Sequence, residues 1–309
     1  MKVSVIIPTY NAEKTIGDTL DSVFNQTHKN LEIIIVNDGS TDGTLKLLNS
    51  YRDKIKLITI ENKGVSNARN IGLNYASGDY IQYLDSDDLL TPQKIEIQLK
   101  ALKESDADIA YGNWQKFKLE ERQEILILET VNREIIGDAE IEVFTDFWCP
   151  PAALLYSKRI IEKIGPWKLW LPLIEDARYL LDAIRAEGRL VYTPIITSFY
   201  RSHSSGSLST NNRTLFNECI YKNLKDIYKL WIIENKTSPL HKQALTKVLR
   251  YSINVLSGNK LLFEEAIDLL LKIQPNYIPE EKGLLKVLSN LIGYKNAEEI
   301  ARLKRRFLK

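Results

Sequence analysis

Cysteine is nearly absent: Cys149 and Cys219 stand far apart in 309 residues, which excludes a disulfide framework and points to a reducing compartment. No run of eighteen apolar residues occurs, so no membrane-spanning helix is expected. The chain enters an apolar strand within three residues of Met1, without the basic and then apolar stretch of a secretory leader. A cytoplasmic protein is the expectation. No Gly-x-Gly-x-x-Gly or Gly-Lys-Ser/Thr element is present, which removes the usual backbone cradles for dinucleotides and nucleoside triphosphates. An excess charge of one sign is missing too: 42 Lys and Arg against 40 Asp and Glu leave +2, and no nucleic-acid partner is expected. One local exception is the basic C-terminus, where Arg302, Lys304, Arg305, Arg306 and Lys309 cluster on a predicted helix. They read either as a solvated helix end or as a peripheral contact with the cytoplasmic face of an anionic membrane.

What is present is a regular alternation of buried strands with amphipathic helices through the first hundred residues, the pattern of an α/β, Rossmann-like, mainly parallel sheet flanked by helices. Val3–Ile7, closed by Pro8, reads as the first strand, Leu31–Val36 as the second, Lys56–Ile60 as the third and Asp79–Leu84 as the fourth. Ser66 is placed to cap the helix carrying Asn67, Arg69 and Asn70, and Thr91-Pro92 to open the next one. Asp108–Trp114, Glu124–Glu129 and Leu190–Thr193 complete the predicted strands, while 132–165 reads as irregular, with Trp148-Cys149-Pro150-Pro151 its stiffest point. From about Asn212 the chain is almost wholly helical, interrupted at Ser238-Pro239, Gly258, Pro275 to Pro279 and Gly293. Two domains are expected, 1–210 and a small all-helical unit at 211–309.

Chemistry concentrates at the predicted strand ends. Asp85-Ser86-Asp87-Asp88 puts three carboxylates in four residues directly behind Tyr80–Leu84. Such repulsion needs a counter-charge, and closely spaced oxygen donors favour a hard divalent cation. Pro8-Thr9-Tyr10-Asn11 offers an aromatic platform and polar side chains at the same edge, although a strand-to-helix turn capped by Thr9 or Asn11 explains it equally. Asp38 ends the second strand, where an acceptor suits the imide N–H of uracil or thymine; Asp38-Gly39-Ser40 also reads as helix-cap chemistry. Glu175-Asp176 opens a predicted helix either as dipole complement or as a base in a partly apolar cleft. Among three histidines, His203 alone lies in a polar loop, 200–207, just after the last strand, where an imidazole suits a metal or a diphosphate.

In this order, Val3 to Asn11, Asp38-Gly39-Ser40-Thr41, Gly64-Val65-Ser66-Asn67-Ala68-Arg69-Asn70-Ile71-Gly72, Asp85-Ser86-Asp87-Asp88, Glu175-Asp176 and Tyr200-Arg201-x-His203 closely resemble the family 2 glycosyltransferases. The resemblance covers about the first 207 residues. It implies a GT-A fold, a nucleotide-diphospho-sugar donor (a UDP-sugar by the Asp38 reading), Mg²⁺ or Mn²⁺, and transfer with inversion to a glycan, polymer or lipid-linked acceptor. Carried over by motif, Pro8, Thr9, Tyr10, Asn11 and Asp38 hold the nucleoside, with Arg69, Asp85 and Ser86 beside it. Asp85 and Asp87 form the metal pair, with Asp87 the direct ligand and His203 on metal or diphosphate. Asp176 is the catalytic base, and Glu175 and Trp148 lie near the acceptor. The stretch 165–172, with Trp167 and Trp170, departs from the small residues common in relatives. A sugar-phosphate nucleotidyltransferase and an inactive nucleotide-sugar-binding module are the competing classes. The first lacks the basic, glycine-rich loop it would need, and the second has no need of Asp87, Asp176 and His203 together.

Overall fold

The computed structural model describes every residue except 120–123, 204–207 and 308–309, and the backbone alone at 208, 209, 306 and 307. It divides into two compact units, 1–207 and 208–309.

The first unit starts with a four-stranded parallel block. Strand β1 (Val3–Thr9) lies between β2 (Leu31–Asp38) and β4 (Tyr80–Tyr83), with β3 (Lys56–Ile60) outside β2. β-branched residues dominate β1 to β3, and every residue of β1 is buried, as a strand covered on both faces requires. One face packs Val3, Val5, Ile7, Ile33 and Ile35 against α1 (Ile16–Phe24) and α4 (Lys94–Ser105) through Ile16, Leu20, Ile95 and Leu99. The other packs Ile34 and Val36 against Ala68 of α3 (Val65–Asn74), where Gly72 brings the helix so near Ile6 that an added Cβ would meet its Cγ2 at 2.4 Å. Between β2 and β3 runs the short helix α2 (Thr44–Asn49).

Beyond β4 the sheet becomes mixed. Its order among the described residues is β3-β2-β1-β4-β8-β6-β9-β5, with β7 added to β6. β8 (Leu154–Ser157) is antiparallel to both neighbours, β6 (Ile109–Leu119) and β9 (Leu190–Arg201) are parallel, and β5 (Leu89–Leu90) and β7 (Ile125–Val131) pair antiparallel.

Several elements differ from the sequence reading, for physical reasons. Pro8 does not close β1; it pairs opposite Val36, and β4 has already left the ladder at Ile6, so its missing N–H costs little there. Ser66 lies inside α3, whose cap is Gly64 at φ 89°. Pro92 precedes α4, which begins at Lys94. The stretch 132–165 is not irregular: it holds α5 (Ala139–Thr145), a 3₁₀ turn at Pro151–Ala153, β8 and α6 (Lys158–Ile164). Each is too short for periodicity to register, although Asp138 and Ser157 cap the two helices by accepting from Ile141 and Ile160 N–H. β9 runs past Pro194 because two register shifts against Gly112–Trp114 take up the ring.

The second unit is helical: α8 (Leu208–Asn211), α9 (Arg213–Ile233), α10 (Pro239–Val255), α11 (Lys260–Ile273), α12 (Leu284–Ile292) and α13 (Tyr294–Phe307). Its core gathers Tyr221, Leu224, Trp231, Leu249, Phe263 and Leu270. Glu298 is fully buried and neutralised by Arg250 and by Arg305 at 2.7 Å. Arg302 is buried as well, its Nε donating to the Ser257 carbonyl at 2.9 Å. Two members of the basic C-terminal cluster are therefore internal ties and not a solvated patch. Lys304 is exposed, and the Arg306 side chain and Lys309 fall outside the described residues. No helix among the described residues is long and apolar enough to cross a membrane.

Candidate active site

The carboxyl ends of β1, β2 and β4 meet at one edge, where ligands collect in open α/β sheets. Past β1, Tyr10 is exposed and Asn11 takes a left-handed turn at φ 50°. Asn11 Oδ1 accepts from Thr41 N–H at 2.8 Å, and Asn11 N–H donates to Ser40 Oγ, so the ends of β1 and β2 are laced together. Thr9 is buried, its Oγ1 donating to the Ile7 carbonyl, and Pro8 is part of the strand. Asp38 is buried too. Its two oxygens accept from Lys63 and Gly64 N–H, both at 2.9 Å, which leaves further lone pairs for another donor. Gly39, at φ 71°, lets this turn approach: a Cβ would meet Asn62 N at 2.8 Å.

The acidic turn after β4 is held from three sides. Thr15 Oγ1 donates to the Ser86 carbonyl at 2.9 Å. Arg201, the last residue of β9, donates Nε to the Asp87 carbonyl at 2.7 Å and backbone N–H to Asp88 Oδ1 at 2.9 Å, while its Nη2 meets Asp18 at 3.0 Å. Asp87 Oδ2 lies 2.6 Å from His203 Nε2, a bond that raises the imidazole's pKa. Burial, then the charges of Asp87 and Asp85, push the Asp88 carboxyl well above its ordinary value, and its Oδ2 is buried with no partner among the described residues.

Asp85 turns toward Arg69. The guanidinium is buried, bonding Asp85 Oδ1 at 2.6 Å and Glu175 Oε1 at 2.8 Å while stacking 4.3 Å over Trp167. Trp167 in turn lies flat on Tyr179, with centroids 4.0 Å apart, and exchanges hydrogen bonds with Asn70. The divergent 165–172 stretch thus supplies the wall that houses Arg69. Through one bond from each amino group, Arg69 ties the acidic turn to α7 (Glu175–Arg185). Glu175 likewise faces Arg69, its side chain only 11% exposed. Burial, then the Asp176 charge, lifts its carboxyl to about 7 against the pull of Arg69.

Asp176 is oriented from two sides. Trp148 Nε1 donates to Oδ2 at 2.7 Å and Ala177 N–H to Oδ1 at 2.8 Å. The residue before α7, Ile174, sits at φ 62°, a costly conformation for a β-branched side chain that aims the first turn of the helix. Trp148 is itself packed edge-on against Trp114 and Tyr200, at 5.4 and 5.5 Å. Behind it, the 3₁₀ turn is anchored by buried side chains: Lys94 Nζ on the Leu154 carbonyl at 2.8 Å, Gln98 on Ala153 at 3.0 Å and Gln82 on Pro151 at 3.2 Å. Tyr200 faces both acidic groups. After burial, Asp88, Asp85, Asp87 and Asp176 all raise its hydroxyl's pKa.

Among the described residues no set of three or more His, Cys, Asp and Glu side chains converges as a metal cage. What stands ready is Asp87 with His203, beside the unpartnered Asp88 oxygen. A hard cation that takes one or two protein ligands and fills its shell with phosphate oxygens and water fits such a site.

Residues 4–165 match the family model described as glycosyl transferase family 2. The chain belongs to that family. Over 214 residues it is 33% identical to WfaP of Escherichia coli, a UDP-Glc:alpha-D-GlcNAc-diphosphoundecaprenol beta-1,3-glucosyltransferase, covering 68% of this chain and 80% of WfaP. Glycosyltransferase GlyA of Streptococcus pneumoniae is 44% identical over 119 residues, 38% of this chain but 17% of GlyA. The match to an uncharacterized glycosyltransferase of Haemophilus influenzae, 40% identical, covers 43% of this chain and 54% of that protein. Staphylococcus aureus TarS 1–349, solved with UDP-GlcNAc, shares the fold at a TM-score of 0.66 and 20% identity, across 98% of this chain and 92% of TarS. The fold is therefore the GT-A type, with a helical C-terminal region.

Within this family 2 transferase, Tyr200, Arg201, Trp167, Thr15 and Asp18 are site-building residues that had drawn no role from the sequence. For Tyr200 and Arg201 a second signal stood beside the family motif: β9 continues for seven residues past Pro194 in strand-forming types, and reading through the proline delivers both to the acidic turn.

Proposed function

We propose that this transferase moves a sugar from a UDP-sugar to a hydroxyl of a glycan, polymer or lipid-linked acceptor in the cytoplasm, with inversion at the anomeric carbon. The observation carrying this reading is the fixed Asp176 carboxylate, oriented by Trp148 and the α7 N-terminus in the same charge environment as the Asp85–Asp88 turn. Each Asp176 oxygen holds one donor and keeps a lone pair, so it is able to accept the proton of an attacking hydroxyl. A single displacement sets base and leaving group on opposite faces and needs no covalent intermediate. On the donor side, Tyr10 and Asn11 line the nucleoside edge, and a free Asp38 lone pair suits the imide of uracil. Mg²⁺ or Mn²⁺ at Asp87 and His203 would supply positive charge against the departing diphosphate. Arg69 keeps the donor turn and the base helix in register. The naming of WfaP and of its E. coli counterpart WfgD for UDP-Glc and a diphosphoundecaprenol acceptor favours a lipid-diphosphate acceptor here.

Incubating the protein with a panel of nucleotide sugars and Mn²⁺ tests the reading. Slow UDP release from one UDP-sugar, accelerated by a lipid-diphosphate saccharide, is the expected result. Release from no donor would overturn it.

A further inference from the structure

The helix α12 carries an apolar stripe on its outer side. Leu284, Val287 and Leu291 fall at i, i+3 and i+7, one stripe of the helix, and are 63%, 54% and 74% exposed, whereas the buried residue of the helix is the polar Ser289. Ser289 Oγ answers by bonding back to the Leu285 carbonyl at 2.7 Å. On α13, Ile300 and Leu303 are also exposed, beside the exposed Lys304. A helix that keeps Leu285 and Leu288 half-buried beside Ser289 and offers Leu284, Val287 and Leu291 to water is suited to a surface with an apolar interior.

Charge decides which surface. Residues 208–309 carry 18 Lys and Arg against 10 Asp and Glu, a formal +8, while residues 1–207 carry 24 against 30, a formal −6. The near-neutral whole hides a strongly divided chain, the kind of asymmetry that accompanies membrane contact. A second copy seated through the same stripe would set +8 against +8, which disfavours a symmetric dimer on this face. We propose that the α12 stripe docks on an anionic lipid surface, its leucines entering the headgroup boundary while the positive field of the unit draws it there. The contact is not made by Arg302 and Arg305, which are spent on Ser257 and Glu298. The proposal does not depend on the donor or the acceptor.

The test is sedimentation of the full chain with phosphatidylcholine vesicles, plain or with about a third phosphatidylglycerol. Wild-type protein should pellet with the anionic vesicles, less so at high salt. Leu284→Ser with Leu291→Ser should lower that partition by about 10²-fold or more, since each leucine forfeits most of its apolar transfer. Unchanged far-UV circular dichroism and UDP binding would show that the variant is folded. Failure of the wild type to pellet at low salt, or undiminished binding by the double variant, would overturn the proposal. So would a wild-type dimer in light scattering that the double variant makes monomeric.

Discussion

Glu175→Gln sets two effects against each other, and the structure says which wins. A simple view counts the 2.8 Å bond from Arg69 to Glu175 as a buried salt bridge, whose loss typically costs about 3–5 kcal/mol. But the carboxyl is raised from 4.5 to about 7, so burial and the neighbouring Asp176 outweigh Arg69, which Asp85 already neutralises. The sign follows from linkage. Between the unfolded and the folded pKa the native state holds more protons than the unfolded one, so the stability tied to Glu175 is fully present below 4.5 and falls as pH rises through about 7. The full loss amounts to about 3 kcal/mol, at 1.36 kcal/mol per pH unit between the two values. Glutamine mimics the protonated form and still accepts from Arg69. Glu175→Gln should therefore match wild type within about 1 kcal/mol at pH 5 and exceed it by up to about 3 kcal/mol at pH 8. Urea unfolding at both pH values, followed by tryptophan fluorescence, measures the difference. A variant several kcal/mol weaker than wild type at pH 8 would refute the reasoning and show that the bridge dominates.

Asp176→Asn keeps the Trp148 bond but cannot take a proton, so UDP binding should persist while transfer falls by about 10²-fold or more, and the wild-type product should carry the inverted configuration by NMR. Retention, or normal turnover in the variant, would place the base elsewhere. Chelation should abolish transfer and Asp87→Ala should lower it by orders of magnitude without changing the thermal melt; full activity in EDTA would remove the metal from the mechanism. Asp38→Ala should weaken UDP about tenfold in calorimetry and narrow its advantage over CDP, at a cost in stability because Lys63 and Gly64 lose their acceptor. Equal affinity of wild type for both diphosphates would end the uridine reading.

How far the sequence reached depended on element length and separation. β1 to β3 were legible because β-branched runs alternate with amphipathic helices, β4 as the apolar run before the acidic turn, and that turn announced itself by charge density. α5, β8 and α6 were not, being four to seven residues each, too few for a period to show. Residue types at the site were legible; their partners were not. Nothing local to Arg69 reveals that Asp85 and Glu175 will both claim it, since the second is 106 residues away. Likewise the basic C-terminal run reads as a surface patch until Glu298 is seen buried beneath it.

Arg201 gives the site an order of assembly. Its bonds to Asp88 and Asp87 close loops of 113 and 114 residues, and its pair with Asp18 spans 183. Contacts of that separation are slow to form, and on a growing chain they wait until the last strand has been made. The four-stranded block can organise around its local crossovers well before then, with the acidic turn still unlatched. The family-model match ends at residue 165, so a fragment cut to it would keep the turns after β1 and β2 yet lack α7, Tyr200, Arg201 and His203. A minimal piece for transplantation or truncation work has to extend through His203; one ending earlier would yield a sheet without a finished centre.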